Sequence, residues 1–286
     1  MGRKRKPEPI NNLVVVSDLH GGCRSGLCIG KALLDDGGAF EPSETQQVVA
    51  GMWATFWDEW VPEVCHGEPF AVVINGDALD GVHHGSVTQV SQNLSDQRRI
   101  ALAALKPVRE QCEGRFYVIR GTEAHVGKSA QNEETLAEEL DAVPDKRGQY
   151  SRFELWIRVG RGLVHVMHHI GTTGTSHYET SAVMKELAES YAEAGRWRRE
   201  PPDVVVRSHR HRHIEVRVPT KLGYGISFVT AGWQLRTPFT YRIPGGRVTT
   251  PQIGGSIIRQ GDHDLYTRHR TWAIDRGEIV ELTDAN

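Results

Sequence analysis

Asp18 and His20 close a short apolar run, Leu13-Val14-Val15-Val16, and are followed by Gly21 and Gly22. In an extended segment residues i and i+2 point the same way, so this carboxylate and imidazole can reach one point while Leu19 turns back to the core. The two glycines let the backbone turn sharply beside that point. The pattern recurs along the chain. Phe70 to Ile74 runs into Asp77 and Asp80, Phe116 to Ile119 into Glu123 and His125, Leu163 to Met167 into His168 and His169, and Val204 to Val206 into His209 and His211. One such ending reads equally well as a capped turn with a solvated histidine. Five of them read as one site assembled at strand ends.

Carboxylates and imidazoles without thiolates suit Mn²⁺, Fe or Zn²⁺. Two such ions about 4 Å apart lower the pKa of a bridging water, giving hydroxide near neutral pH, and clamp a phosphoryl oxygen for in-line displacement. That chemistry needs a shared ligand such as Asp77. His125 has the pKa range for proton transfer near pH 7, as leaving-group donor or oxyanion partner. Asp80 is read as orienting a histidine ligand or a loop amide. His83 and His84 read either as substrate contacts or as solvated loop residues. Arg210 and Arg212 alternate with His209 and His211, so they point away as a solvated or ion-paired face, and His165, inside its run, is read as structural.

The elements that must position these groups alternate between strand and helix. Glu44 to Trp60 has helical apolar spacing, with Ser43 as N-cap and Pro62 expected to end it. Asn93 to Cys112 reads as an amphipathic helix with a kink or early break at Pro107. Asn132 to Asp141 reads as an acidic helix, and Tyr178 to Glu193 is the clearest helix. Tyr150 to Val159 alternates like a strand, and Gly160-Arg161-Gly162 turns it into the next. Ile214 to Val218, Gly223 to Thr230 and segments after Gly246 look like β-hairpins.

At 286 residues, 38% hydrophobic and 24% charged, the chain can bury a large core. Its net charge is −2, and Arg3, Lys4, Arg5 and Lys6 sit at the very start, so the remainder is more acidic still. That argues against a basic nucleic-acid footprint and makes the first residues a disordered, solubilising tail. Cys23, Cys28, Cys65 and Cys112 form no CxxC pair; Cys23 and Cys28 could bind zinc with nearby histidines, but the looser reading is a plain loop. No apolar run approaches the ~20 residues of a membrane span, and no signal-peptide core follows the basic start. The expectation is a soluble, cytoplasmic protein with reduced thiols, of undetermined oligomeric state.

Asp18-Leu19-His20, Gly76-Asp77 with Asp80, Gly121 to His125, His168 and Ser208-His209-Arg210-His211 together resemble the ordered motifs of the calcineurin-like metallophosphoesterases, in particular members from bacteriophage and bacterial genomes. The resemblance spans Val14 to His211. It implies an α/β (α+β) fold of two mixed β-sheets packed as a sandwich and flanked by helices. Residues 10–286 would form one domain, with a core over 13–235 and a β-rich extension over 236–286, behind a basic tail at 1–9. It also implies two divalent ions, the first held by Asp18, His20 and His211, the second by His168 and His209, with Asp77 bridging. His168 is preferred over His169 because it directly follows its strand. The family has Gly-Asn-His where this chain has Gly121-Thr122-Glu123-Ala124-His125. Glu123 is expected to take the Asn position as a metal ligand, with pairing to Arg120 or capping of the next turn as the alternative. The implied activity is hydrolysis of a phosphomonoester or phosphodiester, with Mn²⁺ favoured and no membrane partner. A catalytically silent scaffold binding a protein partner, and a nuclease acting on DNA ends or single strands, are the alternatives.

Overall fold

A computed structural model describes residues 9–83, 85–171, 178–221, 223–242 and 249–274. The basic residues Arg3 to Lys6, His84 and residues 275–286 of the expected extension lie outside the described residues. In chain order the elements are β1 (Asn12–Val16), β2 (Ala32–Leu33), β3 (Ala39–Phe40) and α1 (Glu44–Thr55), which continues through a π-helical segment (Phe56–Trp60) into α2 (Val61–Val64). Then come β4 (Phe70–Asn75), α3 (Leu94–Gln111), β5 (Phe116–Ile119), α4 (Glu123–Val126), α5 (Gln131–Glu139), β6 (Ser151–Arg152), β7 (Leu155–Val159) and β8 (Gly162–Val166). The chain closes with α6 (Glu179–Arg196), β9 (Val204–Arg207), β10 (Ile214–Thr220), β11 (Gly223–Val229), β12 (Gln252–Gln260) and β13 (Leu265–Ala273).

Two mixed sheets carry the fold. The first runs β13-β12-β1-β4-β5-β6 and the second β10-β11-β9-β8-β7. In the first, β1, β4, β5 and β6 are parallel and β12 pairs antiparallel with β1; in the second, β8, β9 and β11 are parallel. Alternation along β1 divides the core. Leu13 and Val15 join Ala71, Val73 and Ile119 against Val164, Val166, Val204, Val206 and Phe228 of the second sheet. Val14 and Val16 join Val72 and Ile74 against Trp53, Phe56, Leu105 and Leu136 of the helices. Because both faces of β1 and β4 are covered, these strands read as unbroken apolar runs rather than alternating ones.

Four expectations are corrected. Pro62 does not end its helix; it falls at the start of α2, where the π-helical segment gives way, and the helix continues to Val64. Pro107 lies inside α3 without stopping it. It is exposed, as is Ala103, whose carbonyl it leaves without an amide, so water can satisfy that group. Tyr150 to Val159 is two strands: β6 belongs to the first sheet and β7 to the second, with Phe153 and Glu154 crossing between them. β12 and β13, expected as an extension beyond the core, are built into the first sheet beside β1. No helix among the described residues is long and apolar enough to cross a membrane.

Candidate metal centre

All five parallel strands named at the outset deliver their chemical groups from one end, where β1, β4, β5, β8 and β9 stop. Past the end of β1 the chain stays tied to the β4 loop, with Asp18 N donating to Gly76 O (3.0 Å), His20 N to Asp77 O (3.0 Å) and Gly21 N to Ala78 O (2.9 Å). The groups do not converge through extended i, i+2 geometry. Asp18, His20, Asp77, His209 and His211 all have positive φ, between 47° and 75°. Left-handed non-glycine residues cost about 1–3 kcal/mol each and persist where the surroundings impose them. Half of the ten such residues among the described ones lie in this cluster, which concentrates strain at one place.

Among the described residues four groups of ligand-type atoms result, two of them built around His125 (with His20 and Asp77, and with Asp80 and His83) and two from the expected ligands. Asp18, His20 and His211 form one; Asp18, Asp77, His168 and His209 form the other. His211 Nε2 stands 3.2 Å from Asp18 Oδ1 and 3.2 Å from His20 Nε2. His168 Nε2 lies 3.1 Å and His209 Nδ1 3.9 Å from Asp77 Oδ2. Backbone and carboxylate acceptors fix the rings from behind. His168 Nδ1 donates to Asn75 O at 2.6 Å, and His20 Nδ1 lies 3.2 Å from Asp80 Oδ1, so in each case Nε2 faces the cluster. His169 is exposed and belongs to none of these groups.

A divalent cation fits this donor set. Asp18 Oδ1 is buried and faces His211 Nε2 at 3.2 Å without a well-formed hydrogen bond, a place that a cation between them would take. Burial works against ionising Asp18 and Asp77, but the neighbouring histidines outweigh it and hold both carboxyls well below the usual range. For His168 burial opposes protonation, yet Asp77 and Asp18 beside it push its pKa up to about 10; His211 is raised by Asp18 against the same opposition. The cluster is thus a buried anionic centre that gathers positive charge.

The third motif differs from its expected arrangement. Glu123 is exposed in the first turn of α4 and belongs to no ligand group among the described residues. Nor does the structure pair it with Arg120, whose guanidinium reaches Glu134 (3.4 Å) instead. Thr122 stands where Glu123 was expected. Its amide donates to Asp77 Oδ1 (2.6 Å), and its hydroxyl lies 3.1 Å from Asp77 Oδ2, 3.3 Å from His168 Nε2 and 3.1 Å from His209 Nδ1.

His125 donates from Nδ1 to Asp80 O (2.6 Å), which leaves Nε2 facing Asp77 Oδ2 at 4.0 Å. Burial, with His20 close by, pushes its pKa down to about 4. Asp80 touches His20 and, through Oδ2, accepts Gln89 Nε2 (2.9 Å); His83 Nε2 lies 3.6 Å away. The rings of His83 and His125 meet edge to face at 4.3 Å. Arg212 pairs with Glu179 (3.4 Å) and Arg210 donates to the Gly171 carbonyl, so neither enters the cluster. His165 is buried between Glu154 and Arg207. Cys23 and Cys28 hydrogen-bond to Ser25 and the Gly30 carbonyl and join no ligand group among the described residues.

Three contributors escaped the motif reading. Asn75 ties the sheets together under the site, its Nδ2 donating to Met167 O (3.0 Å) and Ser208 Oγ (2.6 Å). Gln234 reaches Asp80 Oδ1 at 3.4 Å. Glu133 is buried beneath the β4 and β5 loops. Its signal was present in the sequence: Glu133, Leu136, Ala137 and Leu140 share one helical face, and a carboxylate on an apolar face needs a reason.

No family model matches the chain, and no curated protein matches it. Among solved structures it is similar to Vacuolar Protein Sorting 29 from Cryptosporidium parvum, at 9% identity and TM-score 0.36, over 93% of this chain and 100% of that one. It is similar also to wild-type Vps29 from Entamoeba histolytica complexed with zinc, at 10% identity and TM-score 0.37, over 91% and 98% of the two chains. A third is the sulfate thiohydrolase SoxB of Thermus thermophilus in complex with glycerol, at 14% identity and TM-score 0.38, over 94% and 58%. Likeness at these scores carries no functional weight.

Proposed function

We propose that the chain is a metal-dependent hydrolase of phosphate esters. The observation that carries this reading is the convergence of two buried carboxylates and four imidazoles at one end of both sheets. Asp18, His20 and His211 would hold one divalent ion, and Asp77, His168 and His209 the other, with Asp18 and Asp77 placed to be shared. Mn²⁺ suits these donors best, with Fe or Zn²⁺ as alternatives. Such ions, when bound, neutralise phosphoryl oxygens and lower the pKa of water.

The protein's own groups do the rest. Asp80 fixes the His20 ring, and Asn75 the His168 ring, so that each Nε2 is aimed before substrate arrives. His125 stays neutral in its buried position because charging it there is unfavourable. The negative charge of an arriving phosphate stabilises the imidazolium. Nε2, the nitrogen turned to the cluster, can then take up a proton and deliver it to the leaving oxygen. His83, edge-on to His125, would contact the ester group. The acidic body of the chain favours a small phosphate ester over a nucleic acid.

The test is metal content of the purified protein, paired with hydrolysis of an aryl phosphomonoester and an aryl phosphodiester in Mn²⁺. The expected result is about two ions per chain and turnover that falls at least ~100-fold in Asp77→Asn. A protein without ions and without turnover in any divalent metal would move the reading to a silent scaffold that binds a protein partner.

A further inference from the structure

Glu133 is a fully buried carboxylate that the proposed hydrolysis does not use. It sits in the first turn of α5, on the face that carries Leu136, Ala137 and Leu140 into the core. No ion pair among the described residues includes it. A carboxylate in that position is costly unless both oxygens are bonded. Both are, and only to backbone: Oε1 accepts the Ala78 amide at 3.0 Å and Oε2 the Gly121 amide at 2.6 Å.

Those two amides are not incidental. Ala78 directly follows Asp77, and Gly121 directly precedes Thr122, whose own amide and hydroxyl grip the Asp77 carboxylate. A closed circuit results, from Asp77 through Ala78 to Glu133, on to Gly121 and Thr122, and back to Asp77. The two loops can approach this closely because position 121 is glycine; a Cβ there would overlap Asp77, with Cγ at 2.9 Å. The circuit holds the β4 loop to the β5 loop on the side of His168 and His209. Asp18, His20 and His211, on the β1 and β9 loops, are outside it.

We propose that Glu133 is a positioning residue: its carboxylate clamps the loop after β4 to the loop after β5 and so sets where Asp77 and Thr122 stand within the second ligand group. This rests on the reading of the cluster as a two-ion centre. A purely structural clamp would stabilise the fold and leave both affinities unchanged, whereas a positioning role weakens them unequally, because Asp77 is shared by both ions while Thr122 stands beside His168 and His209 alone. Glutamine tests the point because it has nearly the shape of glutamate yet turns an N–H toward one of the two amides.

The experiment titrates Mn²⁺ into metal-free wild type, Glu133→Gln and Glu133→Asp, and follows amide hydrogen exchange at Ala78 and Gly121 in the same proteins. In Glu133→Gln the weaker of two binding steps is expected to weaken by roughly tenfold or more, with a smaller loss at the other. Hydrolysis should recover as Mn²⁺ is raised, and exchange at Ala78 and Gly121 should speed up while β1 amides stay protected. Glu133→Asp, which keeps the charge but loses reach, gives the same ordering of effects if the glutamine variant fails to fold. Unchanged affinities for both ions in the variants, or equal loss of both, overturns the proposal. Should wild type bind no metal, the two-ion reading fails by itself, and the exchange rates still decide the clamp: unchanged protection at Ala78 and Gly121 overturns it.

Discussion

At the scale of single residues, the third motif turns on which of two neighbouring side chains faces the cluster. Glu123 begins α4 and points to solvent, whereas Thr122, one residue earlier, is in contact with Asp77, His168 and His209. Glu123→Gln is therefore expected to leave metal content and hydrolysis within about twofold, while Thr122→Val should weaken metal retention by roughly tenfold, read by metal analysis after dialysis against a chelator. The reverse ranking would return the ligand role to Glu123. Residue types and their order showed in the sequence which loops carry the site. Side-chain direction did not show, because it depends on where a four-residue helix starts. Nor did the positive φ of Asp18, His20, Asp77, His209 and His211: aspartate and histidine tolerate that conformation without announcing it.

At the scale of elements, the site depends on strand ends that nearly touch. Gly76 closes β4 with φ +86°, and a Cβ there would overlap the His168 ring and lie 2.7 Å from Gly121 Cα. Gly76→Ala combines overpacking with a disfavoured backbone, and should destabilise the protein by about 2–4 kcal/mol. The measurement is the midpoint of urea unfolding of the metal-free protein; an unshifted midpoint would mean that the two loops have slack. The strands themselves were legible because β1, β4, β5, β8 and β9 are short buried runs with turn residues after them. The sheet to which each belongs was not. β6 and β7 read as one alternating segment, and nothing local marks Phe153 and Glu154 as the crossing between sheets.

At the scale of the whole molecule, the two sheets are also joined along one edge by side chains. Glu215 on β10 accepts from Thr267 Oγ1 (2.5 Å) and lies 2.8 Å from His269 Nε2, both on β13 of the other sheet. Burial pushes its pKa up, but His269, Thr267 and Arg217 outweigh that and hold it at about 2. A folded pKa below the ordinary carboxyl value means that the stabilisation is complete above the unfolded pKa, near 4.5, and is lost as pH falls through about 2. Glu215→Gln should lower unfolding free energy by about 2 kcal/mol at neutral pH, and the gap to wild type should close near pH 2. A gap that persists there would assign the effect to packing rather than to charge.

The position of β1 has a consequence for how each copy is made. Its partner on one side, β4, follows soon after it, but on the other side Leu13 pairs with Ile258. The strand that leads into Asp18 and His20 thus leaves the ribosome well before β12 and waits for it with one row of amides and carbonyls open. At ~5–20 residues per second the wait is on the order of tens of seconds. During it the nascent chain presents an apolar edge to whatever else is being synthesised nearby. The His211 carbonyl receives its amide only when Gln252 emerges. The centre draws on segments far apart in the chain, so the loop that carries His211 is tied down only after β12 has emerged.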